Sequence, residues 1–147
     1  GSQYGAEPVG WDLYGGVGAL VPALHHALGN DSHIHSVESA RVMATSGQVT
    51  FGDDIHFHIG LVGNLVDALP QPDVVVLDPP RVGAGADVVT RIAERKPQRV
   101  IHIGCDPATF ATDIRAWSQA GYHLSDIVVV NAFPGTHHFE TLGLLQP

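Results

Sequence analysis

One cysteine stands in 147 residues, at position 105. A single thiol excludes an intrachain disulfide framework and fits a reducing compartment, so a cytoplasmic protein is expected. No run of about 18 apolar residues occurs, and no transmembrane helix is expected. No secretory signal is visible, and Gly1-Ser2 reads as an expression scar. Cations are scarce: 7 Lys and Arg stand against 15 Asp and Glu, for a net charge of −8. Phosphate backbone is gripped mainly by Lys and Arg, so this chain alone should hold nucleic acid poorly. Repeats, low-complexity tracts and internal linkers are also missing. Hydrophobic residues nevertheless make up 44% of the chain, enough for one domain with a genuine core.

Short β-rich runs alternate with helix-like stretches, the pattern of an α/β fold with a mostly parallel sheet. Strands are expected at 9–13, 34–37, 74–77 and 100–103, with 49–51 and 55–59 as two candidates for a further strand or hairpin. Val74-Val75-Val76-Leu77 is continuously apolar, as a strand covered on both faces requires. Helices are expected over 19–28, 39–44, 61–69, 87–96 and 107–120. In the last of these Asp106 is a good N-cap, Pro107 suits the first turn and Gly121 the stop. Two late strands, 122–130 and 139–145, flank a Phe-Pro-Gly-Thr loop too short for a crossover helix, so they should be antiparallel neighbours. A doubly wound sheet closed by an antiparallel hairpin is the layout of Rossmann-like methyltransferases.

Several motifs fall where strands end. Asp12-x-x-Gly15-Gly16-x-Gly18 joins a strand to a helix, and small residues there let a ligand approach the backbone; a bare tight turn would look the same. Glu38 closes the second strand, where an acid in this fold class accepts from ribose hydroxyls, or caps a helix. Asp53 and Asp54 lie near the adenine region but read equally as turn residues. Asp78-Pro79-Pro80-Arg81 ends the fourth strand in a stiff loop poor in N–H donors. Arg81 suits either a phosphate or a nearby acid. Gly104-Cys105-Asp106-Pro107-Ala108-Thr109 places the thiol at a helix start, where unpaired N–H groups favour negative charge and Asp106 opposes it. Cys105 is then either a small core residue or a nucleophile. Glu140 interrupts an apolar strand, as an outward edge residue or a proton acceptor. Ten histidines include the pairs His33-x-His35 and His56-x-His58, each on one strand face, but no familiar zinc spacing is completed. No metal site is assigned, and most of these histidines are expected at the surface.

Trp11–Gly18, Val37-Glu38, Asp78-Pro79-Pro80-Arg81-Val82-Gly83, Cys105–Thr109 with Asp113, and Phe133–Thr141 occur in one order over almost the whole chain. Together they resemble the RNA 5-methyluridine methyltransferase family, S-adenosylmethionine-dependent enzymes that methylate carbon 5 of uracil in tRNA or rRNA. The cysteine and late-glutamate motifs are specific to that family. The resemblance implies Cys105 as nucleophile on uracil carbon 6, Glu140 as the base that removes the carbon 5 proton, and Asp78 as the residue that binds and polarises the uracil. It implies Asp12, Tyr14, Gly15, Gly16, Gly18 and Glu38, with Asp78, as cofactor contacts. Departures are Leu61, where an acid often contacts adenine, and Thr112, Asn131 and Gly135, which replace Arg, Asp and Gln. An aromatic-x-Gln cofactor segment, an amino-terminal RNA-binding domain and a central region are expected outside this chain, which resembles the catalytic domain alone. RNA is the implied partner, held through regions mostly outside it. Another methyltransferase of this fold, or a degenerate binding module, remains open from the residues themselves.

Overall fold

A computed structural model describes residues 4–131, 135 and 139–147. Seven strands form one mixed sheet in the order β3-β2-β1-β4-β5-β7-β6. They are β1 Val9–Leu13, β2 His33–Glu38, β3 Ile55–Ile59, β4 Val74–Leu77, β5 Arg99–Gly104, β6 His123–Asn131 and β7 Phe139–Gln146. β1 to β5 run parallel, while β7 lies antiparallel to both β5 and β6. The expected carboxy-terminal hairpin is thus present, and its second strand inserts beside β5. The intervening loop lies outside the described residues except for Gly135.

Helices α1 Val21–Leu28, α2 Arg41–Phe51, α3 Val62–Leu65, α4 Ala86–Glu94 and α5 Pro107–Gln119 connect the strands. β4 is buried along its whole length, as its unbroken apolar run requires. Two apolar clusters cover the sheet. One is built around Trp11, Leu13, Val75, Leu77, Ile92 and Trp117. The other packs Val21, Leu24 and Leu28 of α1 against Ile34, Ile55 and Val76. α5 begins as its sequence dictates: Asp106 accepts from the Ala108 N–H at 3.0 Å, Pro107 needs no partner, and Gly121 follows at φ +95°.

One expected strand is absent. Residues 49–51 form the last turn of α2, which begins at Arg41 and runs well past the short helix read from the sequence. Phe51 stacks with Phe57 of β3 at a centroid separation of 6.1 Å, and that tertiary contact outweighs the β propensity of Val49 and Thr50. The expected helix over 61–69 is split into α3 and a 3-10 turn, Val66–Ala68.

Candidate active site

The carboxyl ends of β1, β2, β4 and β5 bring the sequence motifs to one rim of the sheet. Asp12 is fully buried within β1. Its Oδ2 accepts from the Ser36 hydroxyl at 3.0 Å, while Oδ1 has no partner among the described residues. Burial pushes the Asp12 carboxyl up to about 6; the Ser36 bond opposes this, and the charges of Asp78 and Glu38 add to it. A Cβ at Gly15 would run into Asp12 Oδ2 and Ser36 Oγ, so only glycine fits against this pair. Tyr14 (φ +59°), Gly16 (φ +59°) and Gly18 (φ +89°) carry the turn through the left-handed region. Burial, aided by the Asp113 charge, pushes the Tyr14 hydroxyl up to about 12.

Glu38 ties the turn to the end of β2. Its Oε1 accepts from the Gly16 N–H at 3.0 Å and its Oε2 from the Ala40 N–H at 2.6 Å. Each oxygen keeps a second lone pair for an incoming hydroxyl. A cleft of about 40 Å³ opens beside it, lined by Tyr14, Val37, Glu38, Ser39, Gly60, Leu61 and Val62. Leu61 is 62% exposed at its edge. Asp53 and Asp54 lie in a 3-10 turn before β3, at the opposite end of the strand from this cleft, and are turn residues. A larger hollow of about 570 Å³, lined by residues including His25, His33, Asp53 and His56, also lies at the amino-terminal ends of the strands, away from the motifs.

The second half of the rim holds Asp78, Cys105 and Glu140. β4 and β5 pair Leu77 with His102, so Asp78 emerges next to the end of β5. β5 and β7 pair Gly104 with Thr141, so Cys105 and Glu140 are the next opposed positions beyond the end of that ladder. Cys105 is exposed and free. Glu140 Oε2 is buried without a hydrogen-bond partner among the described residues. Desolvation first, then the Glu140 charge, raises the Asp78 carboxyl above its ordinary value, and His102 partly offsets this.

Two residues of this region are buried in a way the sequence pattern does not show. A surface position is expected for most of the histidines, yet His102 is 1% exposed. Its place inside the apolar run Val100–Ile103 is the available signal. Asp113 enters the sequence pattern only as part of a motif; it is also buried, with its carboxylate turned to the loop after Asp78. His35 is the second buried histidine among the described residues, its Nδ1 2.9 Å from His58 Nε2 and its ring stacked on His56.

The sequence profile of the tRNA (uracil-5-)-methyltransferase family matches residues 64–147, more than half of the chain. The chain belongs to this family. An uncharacterized RNA methyltransferase of Corynebacterium efficiens is 56% identical over 138 residues, which cover 93% of this chain and 32% of the relative. One from Bifidobacterium longum is 38% identical over 150 residues, covering 97% of this chain and 34% of the relative. The chain therefore spans about a third of the length of these relatives. Among solved structures, the Pyrococcus abyssi tRNA (uracil-54, C5)-methyltransferase in complex with S-adenosyl-L-homocysteine superposes with a TM-score of 0.77 at 26% identity, covering 97% of this chain and 34% of that one. A precorrin-6y C5,15-methyltransferase from Geobacter metallireducens, at 14% identity and a TM-score of 0.79, shares the fold; the match covers 95% of this chain and 79% of that one.

Proposed function

We propose that this family member is the catalytic domain of an S-adenosylmethionine-dependent RNA methyltransferase that acts on carbon 5 of a uridine in tRNA or rRNA through a covalent cysteine adduct. The observation that supports the reading is the register of β5 against β7, in which Cys105 and Glu140 are the next opposed positions beyond the ladder, with Asp78 at the end of the next strand and Cys105 exposed. Uracil carbon 5 is a weak nucleophile on its own. Addition of the Cys105 thiolate to carbon 6 moves the ring electron pair toward carbon 5. Asp78 holds the uracil edge and polarises it as this charge develops. When bound, S-adenosylmethionine supplies the methyl group as an electrophile. Carbon 5 then carries both a methyl and a proton. The Glu140 carboxylate takes that proton, the carbon 5–carbon 6 double bond re-forms, and the thiolate leaves carbon 6. Its unpartnered Oε2 suits a group that must accept a proton without first breaking another bond.

The donor set fits the cofactor. The orphaned Asp12 Oδ1 is a buried acceptor of the kind an ammonium group satisfies, and the spare lone pairs of Glu38 suit hydroxyls. The uracil must leave its stack to reach this rim, and the grip on the surrounding RNA comes from the rest of the protein, because this chain carries a net charge of −8. The test is trapping. Full-length protein incubated with S-adenosylmethionine and 5-fluorouridine RNA should form a denaturation-resistant complex, since fluorine blocks the proton removal assigned to Glu140. The complex should vanish in Cys105→Ala. A Cys105→Ala protein that still methylates RNA would overturn the covalent route.

A further inference from the structure

Beneath the reactive rim lies a buried polar chain that the proposed reaction leaves unused. The Trp117 indole N–H donates to His102 Nδ1 at 3.0 Å. An indole nitrogen can only donate, so Nδ1 accepts and the ring proton sits on Nε2. Nε2 lies 3.2 Å from Asp113 Oδ2. Asp113 in turn accepts from the Ala84 N–H at 2.7 Å and the Gly85 N–H at 3.1 Å. Burial would raise its carboxyl, but the bonds from His102, Ala84 and Gly85 outweigh burial and hold it below the ordinary value.

The chain ends on the two segments that carry the chemistry. His102 is three residues before Cys105 on β5, and its partner in register is Leu77, the residue before Asp78. Ala84 and Gly85 belong to the loop that follows Asp78. Pro79 and Pro80 supply no N–H groups, and within the loop the Gly83 N–H donates to the Pro80 carbonyl at 2.8 Å, closing one turn. The Asp113 carboxylate takes two further N–H groups of the loop. Gly83 (φ +86°) passes so close that a Cβ there would lie 2.8 Å from Asp113 Oδ2. Thr109, four residues after Cys105, adds a second tie by donating to the Arg81 carbonyl at 2.9 Å.

Stability alone does not account for this arrangement. A buried polar network contributes little net stability compared with apolar residues of the same shape, and α5 already packs through Phe110 and Trp117. What the polar chain supplies is an anchor that ties the turn after Asp78 to β5 and α5. We infer that His102, acting through Asp113 and braced by Trp117, is a positioning residue that holds the Asp78 loop and the Cys105 turn in the mutual geometry the methyl transfer requires. This rests on the proposed reaction.

The experiment uses full-length protein and measures single-turnover adduct formation with 5-fluorouridine RNA, together with kcat and KM on uridine RNA. His102→Phe keeps an aromatic ring, somewhat larger than imidazole, and loses both hydrogen bonds. It should slow adduct formation and kcat by at least about tenfold, because small misplacements of reacting groups are costly, and leave the KM for RNA within about twofold. His102→Gln retains a donor toward Asp113 and should recover most of the rate. A His102→Phe protein that traps RNA at the wild-type rate overturns the inference. So does one whose only defect is a lower melting temperature. Should His102→Phe fail to fold, Asp113→Asn in the same assays decides: a loss in kcat alone supports the inference, and full rate overturns it. A wild type that forms no adduct overturns the proposed reaction and this inference with it. A wild type and a His102→Phe variant that react equally fast overturn this inference alone.

Discussion

In the proposed reaction the Glu140 side chain separates one step from the next. The residue sits in β7 opposite Val130 of β6, near enough to Asp78 for its charge to raise that carboxyl, with one carboxylate oxygen buried and unpartnered among the described residues. A carboxylate so placed is costly unless it is used. In the proposed reaction it acts only after the methyl group has moved. Glu140→Gln keeps the shape and removes the base. Full-length protein carrying it should therefore accumulate a covalent, methylated complex with ordinary uridine RNA, while multiple turnover falls by about 10²–10⁴-fold. Denaturing gels on RNA labelled through the transferred methyl group read this directly. Turnover at the wild-type rate would remove Glu140 from the chemistry. The sequence singles this residue out because a lone acid interrupts an apolar strand, though not whether it faces outward or serves as a base. His102 was not legible, since a histidine inside a strand has the same appearance whether it faces water or a buried carboxylate.

At the scale of elements, the strand-to-helix alternation could be read because the central buried strand is apolar throughout and helix boundaries carry a cap, proline or glycine. α2 resisted because its limits are set by contact with β3. Gly47 marks that contact. A Cβ there would lie 2.5 Å from the Phe57 ring and 2.8 Å from the Val17 carbonyl oxygen. The helix can rest on the sheet only because the position is bare. Gly63 in α3 is different: its added Cβ would meet only Val88 at 3.6 Å, and its φ is not in the left-handed region. Two helical glycines should therefore respond to alanine with opposite signs. Gly47→Ala should cost about 1–3 kcal/mol through overpacking. Gly63→Ala should be neutral or gain up to about 1 kcal/mol from helix propensity. Denaturant unfolding of the two variants checks both signs. Equal losses would mean that Gly47 is not the close-approach point of α2.

Across the whole molecule, buried titrating groups on β1 and β2 pull stability in opposite directions over one pH range. Asp12 titrates near 6 in the folded chain, its value raised to about 6 from an ordinary 3.8. Between those values the native state holds a proton that the unfolded state has released, so stability falls as pH rises and the loss is complete above about 6. His35 is the reverse. Burial, with His56, His58 and His33 adding their charges, lowers it to about 4 from 6.5. Between those values the unfolded state binds a proton the native state refuses, so stability rises with pH. Each effect is about 3 kcal/mol at full extent, because a tenfold change in proton affinity between folded and unfolded states is worth about 1.4 kcal/mol. The raised Asp78 adds to the side of Asp12, and the lowered His58 to that of His35. Asp113, held below its ordinary value, gives up its contribution only in more acid solution. The 147-residue chain should consequently show a melting temperature that changes little between about pH 4 and about pH 6.5. Asp12→Asn removes the falling component, and its melting temperature should climb with pH through that window. His35→Gln removes the rising component, and its melting temperature should decline. Parallel curves for the two variants would show that the native protein does not set these groups in opposition. Divergence would show that the buried acid proposed for the methyl-donor site is balanced by a histidine one strand away, the neighbour in sequence of the Ser36 that donates to Asp12.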